Sequence, residues 1–184
     1  MATSACGRSD INEHKVSPRS FEAYRHDVIQ RMEKHRVFQT KDHKAELDWN
    51  APSEWRPRGH PQKGILLVHG LGDSPFTFHD IGKFLAAHGF LVRAVLLPGF
   101  GTRPEDLLHV KLRDWRRVVN EQTQALQSEV KEVYLGGFSL GGNLVLDYAY
   151  AHPEIAGLLL FSPAFKSDET FAWLTPWKIG RAHV

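Results

Sequence analysis

From Gly64 to Phe161 the chain alternates short, unbroken apolar runs with longer stretches in which apolar residues recur every three or four positions. Ile65-Leu66-Leu67-Val68 is the first run. It has no polar position to mark a wet face, as in a strand covered on both sides of a parallel sheet. Ser74-Pro75 supplies an N-cap and a first-turn proline, so a helix is expected over 75–88, closed by Gly89. Phe90–Leu97 predicts a second strand, ended by Pro98-Gly99. After a long loop, Trp115, Val118, Val119, Gln122 and Leu126 form the stripe of a helix over 112–129. Glu132–Phe138 predicts a third strand and Leu140–Ala151 the helix behind it. Ile155–Phe161 predicts a fourth strand, stopping at Ser162-Pro163. Strands and helices joined this way are the sequence form of an α/β fold, a doubly wound, mostly parallel sheet with right-handed crossovers.

The pattern upstream is weaker. Residues 1–18 are small and polar and are expected to be disordered. From Ser20, Phe21, Tyr24, Val28 and Met32 share one helical face, with Arg25, Arg31, Lys34 and Arg36 opposite. Such a helix either docks its apolar face on the domain or on further chain, or lies on a membrane surface as a peripheral contact. Residues 39–63 are polar and Pro-rich, with room for an edge strand near Ala45–Trp49. The expected organisation is a disordered terminus (1–18), a helix and linker (19–63), and a partial α/β domain (64–178), with the start of a cap near 167–178.

Composition narrows the chemistry. A chain of 184 residues has room for one domain with a core but not comfortably for two. Its net charge of +2 is spread over mixed signs, so neither nucleic acid nor an acidic substrate is indicated as a partner. The 11 histidines show no metal-ligand spacing; His35 and His43, for example, have no cysteine nearby, so no metal is expected. No stretch reaches the length of a membrane-spanning helix. The single Cys6 rules out an internal disulfide. Thr3-Ser4-Ala5-Cys6-Gly7 has the shape of a lipoprotein cleavage end, but no apolar segment precedes it. A cytoplasmic protein is expected, and lipoprotein-type anchoring would require coding sequence upstream of Met1.

The chemistry-bearing motif is Gly137-Phe138-Ser139-Leu140-Gly141. It matches G-x-S-x-G at the joint between a predicted buried strand and a predicted helix, the setting in which that pattern makes a nucleophile elbow. A serine there takes strained backbone angles so that its hydroxyl stands above the sheet edge, while Gly137, Gly141 and Gly142 avoid clashes in the sharp turn. The helix behind it points amide N–H groups toward a developing oxyanion. His69-Gly70-Leu71-Gly72 follows the first strand directly. In a hydrolase of this type the oxyanion hole takes one N–H from the residue after the nucleophile, here Leu140, and one from this earlier loop, here Leu71. His69 precedes the serine and belongs to that loop, so its expected role is to hold the turn by hydrogen bonds.

These residues resemble the α/β-hydrolase superfamily, in particular its bacterial carboxylesterase and monoacylglycerol-lipase-like branch. The similarity runs from about Gly64 to Lys166, through Pro98-Gly99-Phe100-Gly101, Pro104-Glu105-Asp106-Leu107, Asp114-Trp115 and Phe138-Ser139-Leu140-Gly141-Gly142. One departure is Phe100, where relatives often carry histidine; little effect on the chemistry is expected. The resemblance implies attack of Ser139 on a small-molecule ester or lipid, an acyl-enzyme, and proton transfer by a histidine supported by an aspartate, with no cofactor. Phe171, Trp173 and Trp177 fall where relatives insert a cap, and either line an acyl pocket or pack a helix onto the sheet. Serine aminopeptidases and acyltransferases share the same elbow, and a non-catalytic binding protein is a further alternative. Serine in place of aspartate argues against a haloalkane dehalogenase.

In this fold the acid and then the base follow the nucleophile. Downstream of Ser139 stand Asp147, His152, Asp168 and His183, none at a fitting position. The chain is therefore expected to stop after the strand behind the nucleophile helix, without its acid and base, and to be inactive alone. Ile179-Gly180-Arg181-Ala182-His183-Val184 reads like the in-frame translation of a DNA-sequencing adapter, so 179–184 is expected to be an artefact.

Overall fold

The computed structural model describes residues 20–163. Along the chain these form α1 (Phe21–His35), α2 (His43–Asn50), β1 (Ser53–Trp55), β2 (Lys63–Val68), α3 (His79–Ala87) and β3 (Phe90–Val95). They continue through α4 (Leu112–Gln127), β4 (Glu132–Phe138), α5 (Leu140–Ala151) and β5 (Gly157–Phe161). The strands make one sheet in the order β1-β3-β2-β4-β5. β2, β3, β4 and β5 run parallel, and only β1 is antiparallel, on β3. This is the expected mostly parallel α/β architecture. After β2 the chain first builds β3 on one side and then returns to place β4 on the other. The crevice between the carboxyl ends of β2 and β4 is thus a topological switch point, where such sheets bind ligands.

Each parallel strand feeds two cores. Leu66, Val68, Leu91, Val95 and Leu135 face α1, α4 and α5, in a core with Met32, Val119, Leu126 and Val145. Ile65, Leu67, Val92 and Ala94 face the other way, toward Phe78 and Ala86. The apolar runs are unbroken because both faces are covered. Arg93 is the exception, a charge on β3 only 1% exposed. Its guanidinium is ion-paired to Glu54 of β1 at 2.7 Å and to Glu129 after α4, with the Phe21 ring 5.1 Å away. A buried cation persists only with such partners.

The N-terminal helix docks. Phe21, Tyr24, Val28 and Met32 are all buried in the core that faces α4 and α5, so its apolar face is not free for a membrane surface. Its opposite face is not wholly solvated either: Arg25 donates to the Pro52 carbonyl at 3.0 Å, and Arg36, just past the helix, pairs with Glu46 at 3.0 Å. Among the described residues no helix is long and apolar enough to cross a membrane.

Several boundaries differ from expectation. Ala45–Trp49 is not an edge strand but part of α2, because the Asp42 carboxylate caps Ala45 N–H at 2.9 Å and turns Glu46 inward to Arg36. The edge strand comes later, as β1. The helix expected from 75 begins as a tight 3₁₀ turn, Pro75–Phe78, and becomes α-helical only at His79. Ser74 does not cap it with its side chain; its hydroxyl donates to the Trp49 carbonyl at 3.2 Å. The strand expected to reach Leu97 stops pairing at Val95, the helix of 112–129 stops at Gln127, and the last strand starts at Gly157. Residues 1–18, the cap near 167–178, Phe171, Trp173, Trp177, and 179–184 lie outside the described residues.

If α1 is part of the core, Met32→Ala should cost about 2–5 kcal/mol of unfolding free energy, as for other buried large-to-small changes. The exposed Glu33→Ala beside it should change stability by no more than about 0.5 kcal/mol. Urea denaturation of both variants checks the pair.

Candidate active site

The sharp turn after β4 is forced by contact with β2. The two strands are in register, Val68 opposite Gly137, so the residues just beyond them meet. A methyl group on Gly141, in the first turn of α5, would collide with the Val68 carbonyl, and one on Gly137 would collide with the Gly141 backbone. Only glycine lets the helix start so close to the sheet. Between them Ser139 is held at φ 50° and ψ −115°, left-handed backbone for a residue with a Cβ. Such a conformation costs about 1–3 kcal/mol and survives where surrounding structure over-determines it. Here the Ser139 N–H donates to the Phe161 carbonyl of β5 at 2.9 Å, and the Ser139 carbonyl accepts from Asn143 N–H at 3.2 Å. The side chain is half-buried at the N-terminus of α5. Leu140 follows as the first helical residue, at the positive end of the helix dipole.

The loop after β2 comes up against this turn. A Cβ on Gly70 would lie 2.9 Å from the Phe138 ring and 3.3 Å from Ser139 Cβ, so the loop backbone and the serine are neighbours. His69 is fully buried beneath it. Leu97 N–H donates to His69 Nε2 at 3.0 Å, and His69 Nδ1 lies 2.8 Å from the Gly70 carbonyl. A nitrogen that accepts from an amide carries no proton, so the ring is neutral with its hydrogen on Nδ1, donated to Gly70. Burial pushes its pKa below the ordinary value, against the opposing pull of the Gly70 carbonyl and the Asp73 charge. The Gly70 carbonyl and the Leu71 N–H belong to one planar peptide. Holding the first sets the direction of the second.

Phe100, the departure from the usual histidine, is buried and packs edge-on to His69 with ring centroids 5.0 Å apart. On its other side is Trp115, whose indole N–H donates to the Pro98 carbonyl at 2.9 Å. Ser139, Leu140, His69, Gly70, Gly137 and Gly141 therefore gather at the switch point, with Leu71 next along the loop. Asp147 and His152 do not join them. By helix rise they lie about 12 and 20 Å from Ser139 along α5. Asp147 forms a two-point ion pair with Arg116 at 2.8 and 2.9 Å, and His152 stacks on Tyr148 beside Glu154. Asp168 and His183 lie outside the described residues. No group of three His, Cys, Asp or Glu side chains that could hold a metal occurs among the described residues. Tyr24, read in the sequence only as an apolar position, also reaches this region: its hydroxyl bonds the backbone at Leu96.

Comparison with known proteins is consistent with this geometry. Residues 59–183 match the family model described as Hydrolase_4, serine aminopeptidase, S33. The chain is 33% identical over 112 residues to a thermostable monoacylglycerol lipase of Bacillus sp. (strain H-257), covering 61% of this chain and 45% of that one. It is 33% identical over 109 residues to a carboxylesterase of Bacillus subtilis (strain 168), covering 58% and 44%. The chain thus spans about half the length of the curated relatives it matches. A solved structure from work on the metagenome-derived lipolytic enzymes LipS and LipT superposes with a TM-score of 0.62 at 23% identity. That match covers 67% of this chain and 49% of the other, and shows the shared fold.

The buried imidazole has a measurable signature. As pH falls below the ordinary histidine value of 6.5, the unfolded chain takes up a proton at His69 that the folded chain refuses. The unfolded state then binds more protons, so this contribution is fully present above that pH and is lost progressively toward the depressed folded value. His69→Gln should flatten the acid-side slope of stability against pH, as read from urea midpoints measured at intervals below neutrality.

Proposed function

The chain belongs to the Hydrolase_4 (serine aminopeptidase, S33) family of serine hydrolases with the α/β-hydrolase fold, and on that premise we propose that Ser139 is its nucleophile. The observation that carries this is the strained Ser139 at the β4–α5 joint with the Gly70 loop against its Cβ. In the proposed reaction a base takes the Ser139 hydroxyl proton as the oxygen adds to an ester carbonyl, returning it later to the departing alcohol, and the Leu71 and Leu140 N–H groups donate hydrogen bonds to the oxyanion. Collapse expels the alcohol and leaves an acyl-enzyme, which water then cleaves. His69 is not the base, since both its nitrogens are engaged within the fold. We propose further that the 184 residues supply neither the base nor its supporting acid. Asp147 and His152, which follow Ser139 along α5, point to other partners. Without a base, turnover would fall by about 10⁶-fold.

Carboxylic esters are the proposed substrates, because the two similar Bacillus proteins are a monoacylglycerol lipase and a carboxylesterase. Phe171, Trp173 and Trp177 are proposed to line the acyl pocket. The family's own description favours a second reading, hydrolysis of an N-terminal aminoacyl amide. Ester and aminoacyl-amide panels run on one preparation separate the two.

In full-length protein that supplies the base and acid, a fluorophosphonate probe should modify Ser139, and Ser139→Ala should abolish that labelling. Labelling at another residue, or none, would refute the assignment. Turnover of p-nitrophenyl esters by the 184-residue chain should stay near background; rapid hydrolysis lost in Ser139→Ala would show that base and acid are within it.

A further inference from the structure

α1 lies outside the stretch that matches the family, residues 59–183, yet its Tyr24 reaches the segment after β3 that holds His69. Beyond Val95, β3 runs out of strand partners: its last pairing with β2 is Val68 to Val95, and with β1 it is Ser53 to Ala94. Leu96 and Leu97 remain fully buried, so their backbone polar groups need partners from elsewhere. The Leu97 carbonyl accepts from the Phe100 N–H at 3.2 Å, and two side chains serve the other three groups. The Tyr24 hydroxyl donates to the Leu96 carbonyl at 2.7 Å and accepts from the Leu96 N–H at 3.0 Å. The Leu97 N–H donates to His69 Nε2. Successive N–H groups of an extended segment face opposite edges, so fixing the Leu96 peptide groups aims the Leu97 N–H at the imidazole.

We propose that Tyr24 is a positioning residue for the oxyanion loop. Its hydroxyl holds the Leu96–Leu97 backbone, that backbone holds His69, and His69 holds the peptide whose other side is the Leu71 N–H. The proposal rests on the reading of Leu71 as an oxyanion donor. The residue just past that helix grips the far end of the segment: Arg36 donates to the Gly101 carbonyl at 2.9 Å, and Phe100, next to Gly101, packs on His69. The N-terminal helix is thereby a brace for the site as well as part of the core.

The test uses the full chain with ¹⁵N-labelled histidine. Tyr24→Phe keeps the ring and removes only the hydroxyl. The His69 Nε2 resonance should move toward that of an imidazole nitrogen without a donor, and phosphonylation of Ser139 should slow by about tenfold, the effect of one lost orienting hydrogen bond. Val28→Ala, which loosens α1 without removing a hydrogen bond to Leu96, should lower Tm yet leave the His69 nitrogens and the labelling rate unchanged. Unmoved nitrogens or an unchanged labelling rate in Tyr24→Phe would overturn the proposal, as would equal changes in Val28→Ala. If the unmodified chain is not labelled at all, the missing base accounts for it, labelling of full-length protein decides the nucleophile, and the His69 spectra alone decide the role of Tyr24. Should Tyr24→Phe not fold, replacing Tyr24 with a fluorotyrosine alters the hydroxyl as donor and acceptor, and unshifted His69 nitrogens then overturn the proposal.

Discussion

The close approach of the first turn of α5 to the end of β2 is the constraint on which the candidate site depends. It is possible only because Gly141 and Gly137 lack side chains. That contact leaves Ser139 no room for ordinary backbone angles, brings Gly70 beside it, and starts the helix with its free N–H groups at the crevice. The rest of the fold supports this one juxtaposition: parallel pairing sets the register, and two cores clamp the sheet from both faces.

The parts of this arrangement that were legible in the sequence are those governed by local pattern. β2 and β4 are unbroken apolar runs, α5 follows its glycines at once, and Gly89 closes α3 with φ 91°. α2 is not legible there because its sequence is polar and its signal lies in a cap and an inward Glu46, which need the fold to acquire partners. The tyrosine at position 24 fits the apolar period of α1, and nothing nearby in the chain shows that its hydroxyl is used. Its partner stands 72 residues further on. His69 and Leu97 likewise meet only because β2 and β3 lie side by side.

The site divides along the same line. The Gly-x-Ser-x-Gly spacing identifies the elbow, since the two glycines that let α5 start against β2 stand within two residues of Ser139. The arrangement that orients the Gly70–Leu71 peptide draws on α1, the end of β3, and the loop after β2. Each contributes one polar side chain or a few backbone groups, a signal too sparse for any window of sequence to carry.

The buried Arg93 has a consequence for how this sequence can change over time. It joins the edge strand β1 to the segment after α4 through two carboxylates, one on each. Losing any single member strands charge in or beside the core, whereas exchanging the group together for apolar residues can be neutral or even stabilising. The three positions are therefore coupled, with strongly non-additive effects. A lineage carrying this trio is held there by the unfavourable intermediates on every one-step path out, whatever the merit of the destination.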